Sequence, residues 1–208
     1  MKYHLRNLIF FLILFSLRVY GGDQTNLAVI DSLTQTIVEE NLSGVEFYSG
    51  DTVALQIELE DRQKVIYCQQ LISQILEKKS LTVFRNYNQL SSFHGMVIEI
   101  SRYNATVLYS EPRTDGFLGE NHANRTIQVH LIGQLFEAGD SRVRRSIENE
   151  KLFQDEIVYG QIEELEASEY GFTRGRRQGY SGWETYVEPF LVVSSVVVVV
   201  LLFFTQRN

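Results

Sequence analysis

The chain reads as an α+β protein, with a small mixed or antiparallel sheet packed with two or three helices, plus a C-terminal transmembrane helix. Three observations predict this. Val53 to Phe84 runs through an alternating segment, an amphipathic stretch and a short apolar run, the signature of strand, helix and strand. Met96 to Phe136 is rich in β-branched and aromatic residues at period two. Pro189 to Thr205 carries no charge over seventeen residues.

The elements follow in order. Lys2, His4 and Arg6 precede the apolar stretch Leu8 to Leu17. A basic start before a short apolar core fits a secretory signal over residues 1–22, with a short uncleaved anchor as the alternative. Val19 and Gly21 match the small-x-small cleavage rule loosely, and no cysteine follows the core to take a lipid. An exported α+β domain is expected over residues 23–169. Asp23 to Leu42 has Leu27, Ile30, Leu33, Ile37 and Val38 at helical spacing. After the turn Ser49-Gly50-Asp51, the segment Val53 to Leu59 reads as a strand. Asp61 is placed to cap a helix running to about Lys79, whose stripe is Val65, Cys68, Ile72, Ile75 and Leu76. Leu81 to Phe84 is a short strand.

Met96 to Tyr109 reads as one long strand or two bent at Tyr103-Asn104. Glu111 to Asn124 reads as a loop with Pro112, Gly116 and Gly119. In Thr126 to Phe136, residues Ile127, Val129, Leu131, Gly133 and Leu135 share one face. Gly139-Asp140 signals a turn, with Ser141 to Ile147 returning antiparallel. Lys151 to Glu169 is acidic, and Phe153, Ile157, Val158, Ile162 and Leu165 fall on one face of a helix there. Residues 170–186 lack periodicity and read as a flexible juxtamembrane stalk.

The uncharged run predicts a membrane helix over residues 187–205, followed by a cytoplasmic tail at 206–208. At about 1.5 Å per residue, seventeen helical residues span roughly 25 Å, near the thickness of a hydrocarbon core. A strand of that length is out of range. Trp183 and Tyr186 suit the headgroup layer, and Pro189, Phe190, Leu201, Leu202, Phe203 and Phe204 enter the anchor. The expected location is the cytoplasmic membrane, crossed once, with Gly22 to Glu188 outside. Arg174, Arg176 and Arg177 oppose that orientation by the positive-inside rule. The signal acts first in synthesis and outweighs them.

Composition narrows the partners. The chain has 19 basic and 26 acidic residues. Loss of residues 1–22 removes Lys2, Arg6 and Arg18 and no acid, leaving 16 basic against 26 acidic and a charge of −10. That balance disfavours nucleic acid. Cys68 is the single cysteine, so no internal disulfide forms, which favours a bacterial envelope over an animal secretory route. The sequons at Asn41, Asn104 and Asn124 and the Arg-x-Arg-Arg strings ending at Arg145 and Arg177 represent the eukaryotic alternative.

Motifs for chemistry are few. His94, His122 and His130 lack zinc-ligand spacing. His122 near Glu120 and Asp115 is the one candidate for a weak metal or catalytic cluster, and a solvated loop histidine is the bland reading. Ser91 and Ser92 beside His94 carry no weight, since a nucleophile and its base are placed by the fold. Cys68 on an apolar stripe reads as a buried inert thiol. Tyr170, Phe172, Tyr180, Trp183 and Tyr186 read as interface anchors. No catalytic, cofactor or metal residue is assigned.

The order helix, strand, helix, strand, meander between Ser49 and Ile147 resembles the periplasmic α/β domains of envelope-assembly lipoproteins, of the curli-secretion and penicillin-binding-protein activator types. The resemblance rests on Asp51 to Phe84 and Ile127 to Phe136. It implies an envelope location and an assembly role, and it transfers no functional residue. The chain departs from those families in lacking the lipid-attachment cysteine. Its end, from Glu188 to Arg207, looks like the tail of bacterial single-pass envelope proteins. The expected function is non-enzymatic protein–protein interaction in an envelope complex, with the lipid bilayer and an envelope protein as partners. The rivals are a hydrolase using the His122 loop and a sensor domain for an unknown small ligand.

Overall fold

In the computed structural model, residues 24–48, 50–85, 93–114, 119–139 and 143–178 are described. The expected signal, the membrane helix with Trp183 through Phe204, and the tail lie outside them. No helix among the described residues is long and apolar enough to cross a membrane.

Helix α1 spans Asn26–Leu42, and the Thr25 hydroxyl caps it by accepting from the Ala28 amide at 3.3 Å. Strand β1 is Thr52–Ile57. Helix α2 is Arg62–Lys78, capped as expected by Asp61, which accepts from the Gln63 amide at 2.9 Å. Each cap satisfies an orphan donor of the first turn. Strand β2 is Thr82–Phe84, β3 is Met96–Tyr109, β4 is Arg113–Thr114, β5 is Asn121–Glu137 and β6 is Val143–Val158. A short helix α3, Ile162–Leu165, and a two-residue strand β7, Arg176–Arg177, close the domain.

These strands form one mixed seven-stranded sheet. β2, β1 and β3 run parallel, and β3–β5 and β5–β6 are antiparallel. The short strands extend existing columns. β4 pairs with the start of β5, in line with the end of β3. β7 runs parallel to Leu108–Tyr109; β5 already holds the other edge of β3 there, so β7 lies on the edge that β1 uses further back.

Both long helices lie on one face. α1 touches β5 and β6, and α2 touches β1 and β2. Their buried stripes meet Leu55, Ile98, Ile100, Tyr103, Val107, Ile127, Val129, Leu131 and Leu135 in one core. Burying such a side chain stabilises by about 1.5–3 kcal/mol. A bulge between Ile100 and Arg102 keeps β3 in phase with the core past its bend. Gly133 faces it, where a Cβ would come within 2.2 Å of the Glu99 carbonyl oxygen. β3 is therefore one long strand.

Three expectations are corrected. Lys151 to Val158 is strand, Tyr159–Gln161 is a 3₁₀ turn, and only Ile162–Leu165 is α-helical. Phe153 and Ile157 lie four apart, which suits either period, and the free edge of β5 decides the outcome in favour of the sheet. The expected loop before Asn124 is already strand from Asn121, so His122 is a strand residue. The front of the expected stalk is packed: Gly171–Thr173 forms a 3₁₀ turn with Thr173 buried, and β7 follows in the sheet.

Candidate functional site

His122 pairs across the ladder with Arg113 and Val158. Its Nδ1 lies 4.0 Å from a Glu156 carboxylate oxygen, and Glu156 is largely exposed. Glu120 is exposed, and Asp115 lies outside the described residues. Among the described residues no three His, Cys, Asp or Glu side chains converge as a metal site. His130 is half-buried on the same sheet face, opposite Asn104 and Glu150. His94 is exposed at the end of the sheet, and Ser91 and Ser92 lie outside the described residues. Cys68 is fully buried, and burial pushes its thiol up to about 12. A thiol held protonated in this way is a weak nucleophile.

Three other arrangements are built mostly from residues to which sequence reasoning gave no functional role. The first is a buried charged node. Arg125 is 0% exposed, on the core-facing side of β5. Its Nε and Nη2 donate to the two oxygens of Asp155 at 2.9 and 2.5 Å. Its Nη1 donates to the Gln24 carbonyl at 2.6 Å and to Asn26 Oδ1 at 3.0 Å. Asn26 Nδ2 in turn donates to the Tyr109 hydroxyl at 2.7 Å and to the Thr173 carbonyl at 2.8 Å. Burial pushes the Tyr109 phenol up to about 12, so it stays neutral and accepts. A buried guanidinium needs this saturation, because an unpaired charge there is strongly destabilising. The node ties α1, β3, β5 and β6 to the segment that leads out of the domain.

The second is an aromatic cluster that fastens the same segment to α2. Tyr170 and Phe172, read in the sequence as interface anchors, pack onto Tyr67, with ring centroids at 5.4 and 5.1 Å. Tyr103 joins at 5.6 Å from Tyr67. Gly171 donates its amide to Gln63 Oε1 at 3.0 Å, and Tyr170 donates its hydroxyl to Gln70 Oε1 at 3.1 Å. Beside the cluster, between α1 and α2, lies a cleft of about 240 Å³ lined by Leu27, Asp31, Tyr67, Gln70, Gln74 and Tyr170 among others. The Tyr67 hydroxyl donates to Asp31 at 2.8 Å. Burial holds the Asp31 carboxyl above its usual range, partly offset by that bond.

The third is the outer edge of the sheet. β6 is sixteen residues long, and among the described residues β5 is its only strand partner. Its outward row, Glu148, Glu150, Leu152, Gln154 and Glu156, is exposed throughout, with Leu152 56% exposed. The inward row is held by charged contacts to α1. Lys151 Nζ donates to Glu40 at 2.7 Å, and Arg145 donates to the Ser43 carbonyl at 2.7 Å.

No family model matches the chain, and no curated protein matches it. Among solved structures it is similar to a minor lipoprotein from Acinetobacter baumannii, at 10% identity and a TM-score of 0.31, covering 55% of this chain and 76% of that one. It is also similar to the rare lipoprotein B of Shewanella oneidensis, at 8% identity and a TM-score of 0.29, covering 76% and 98%. A neuraminyllactose-binding hemagglutinin homologue from Helicobacter pylori matches at 11% identity and a TM-score of 0.30, covering 55% and 71%. Likeness at this level carries no functional argument. Neither the curli-secretion nor the penicillin-binding-protein activator type is among these three.

Proposed function

We propose that this protein is a non-enzymatic envelope module whose exported α+β domain binds a protein partner through the β6 edge. A C-terminal helix over residues 187–205 holds the domain on the outer face of the cytoplasmic membrane. One observation carries the binding reading. β6 presents a sixteen-residue edge with a single strand partner among the described residues. An unpaired edge offers a row of backbone donors and acceptors to an added strand. The charges on β6 blunt indiscriminate pairing and select among partners. Glu148, Glu150 and Glu156 favour a partner strand that carries lysine or arginine.

The hydrolase alternative leans on His122, whose nearest paired carboxylate among the described residues, Glu156, lies at 4.0 Å. A carboxylate that orients a catalytic histidine hydrogen-bonds it, and 4.0 Å is outside hydrogen-bond range. The anchoring reading is supported by the uncharged run Pro189 to Thr205 and by the node and cluster, which fix where the chain leaves the domain.

Photocrosslinking in native membranes tests the binding reading. A photoreactive residue at Leu152 or Glu150 is expected to capture one protein, and one at Glu77 on the helical side is not. Equal capture at all three positions, or none at β6, refutes the edge as the docking surface. Orientation is tested by a reporter active only outside the cytoplasm, which is expected to work after Gly182 and fail after Asn208.

A further inference from the structure

We propose that the cleft between α1 and α2 binds a small alkylammonium group, held by the Asp31 carboxylate against the rings of Tyr67 and Tyr170. This site is independent of the β6 edge.

Charge is the first argument. Asp31 is half-buried in the cleft, and Glu169 also lines it. No lysine or arginine pairs with either among the described residues, whereas Arg125, Lys151, Arg144 and Arg85 are all matched to other carboxylates. A carboxylate drawn out of water without a cation is costly, and a bound cation relieves that cost. One Asp31 oxygen accepts from the Tyr67 hydroxyl, which fixes the group and leaves the other oxygen for a ligand N–H.

The walls are the second argument. Tyr67 and Tyr170 meet edge to face, with Phe172 stacked behind Tyr170 at 5.4 Å. Ring faces attract a cation within about 6 Å, and more so when it is desolvated. Gln70 holds the Tyr170 hydroxyl, so this wall is set before any ligand arrives. Leu27 and Leu71 supply apolar lining for a short alkyl stem, and Gln74 also lines the cleft.

Size is the third. A cleft of about 240 Å³ is smaller than the 300–1,000 Å³ typical of drug-sized ligands, so it suits a headgroup and not a large molecule. An alkylammonium occurs both as a free amine and as the ethanolamine headgroup of a lipid, and the two share this chemistry.

The test uses the full chain in phosphatidylglycerol nanodiscs, titrated calorimetrically with butylammonium chloride. Saturable one-site binding is expected. Asp31→Asn should weaken it by about tenfold or more. This variant keeps an acceptor for the Tyr67 hydroxyl, and an unchanged or raised melting temperature shows that it is folded. Tyr170→Leu should weaken binding with Asp31 intact. Competition when phosphatidylethanolamine replaces part of the lipid identifies the headgroup as the source, and lack of competition identifies the free amine. Absence of saturable binding, or equal affinity in Asp31→Asn, overturns the proposal.

Discussion

β5 and β6 pair along nearly their whole lengths, yet opposite means hold them. The inward row of β5 is Ala123, Arg125, Ile127, Val129, Leu131, Gly133 and Leu135, and its apolar members are at most 3% exposed. The inward row of β6 has only Ile147 and Ile157 fully buried, with Asn149, Lys151, Phe153 and Asp155 between them. The central strand is held by apolar burial, and the edge strand by Ile147, Phe153 and Ile157 together with polar contacts to α1 and to Arg125. Burial is insensitive to partners in solution. Among the described residues, the other edge of β6 carries no strand and is lined with carboxylates. On the proposed reading, stability lies with one strand and recognition with the other.

The largest expected effect breaks the apolar side of this comparison. Leu131→Asp places an unpaired charge in the core and should abolish accumulation of folded protein. Leu152→Asp, one strand away and outward, should leave the thermal midpoint within about 2 °C. Circular dichroism melts read both. Equal losses would show that β6 is as buried as β5.

The node comes next, since it is the one charge in the inward row of β5. Arg125→Ala should cost about 3–5 kcal/mol in urea unfolding, because Asp155, Asn26 Oδ1 and the Gln24 carbonyl lose their donor. Arg125→Met with Asp155→Leu should recover most of that loss. Failure to recover would mean that the node specifies the docking of the outgoing segment as well as stabilising it. Gly175→Ala separates these roles. Its Cβ would lie 2.2 Å from the Tyr109 ring, so the substitution should cost about 1–3 kcal/mol and loosen residues 171–178 first, seen as faster amide exchange there.

A smaller effect concerns Asp31, the half-buried carboxylate of the α1–α2 cleft. Asp31 has its folded pKa raised, so its ionised form is the disfavoured one. For a raised carboxyl, the native state is favoured below the unfolded pKa, and that advantage is lost as pH rises through the folded pKa. Asp31→Asn, which does not titrate, should therefore raise the melting temperature at pH 7. The gain should vanish as pH falls below the ordinary carboxylate range. The smallest effect is expected at His122. His122→Ala should change neither stability nor the cellular phenotype, and a deletion-like phenotype from a folded, abundant His122→Ala protein would revive the hydrolase reading.

The sequence is most legible where one period stands alone. α1, α2 with its Asp61 cap, and the core row of β5 follow from spacing, because their apolar residues fit helix or strand but not both. It is least legible in β6, where Phe153 and Ile157 fit either period and polar residues fill the inward row. Long-range pairing with β5 settled what local pattern left open. Gly171 to Gln178 looked unstructured because its order comes from partners far away in sequence, namely Asn26, Gln63, Tyr67 and Tyr109. The α1–α2 cleft was hidden for the same reason. Asp31, Tyr67 and Tyr170 belong to three separate segments. Arg125 did leave a trace, as a charge in phase with Ile127, Val129 and Leu131.

Amide hydrogen exchange along β6 bears most directly on the division between a stabilising core strand and a recognising edge strand. In an antiparallel pair, alternate residues of an edge strand turn their amides away from the neighbour. In the purified full chain, those amides between Glu148 and Glu156 should exchange fast. In native membranes, where the partner is present, they should become protected while α2 amides remain unchanged. Identical exchange of β6 in the two preparations would contradict the account and would place any docking surface elsewhere on the domain.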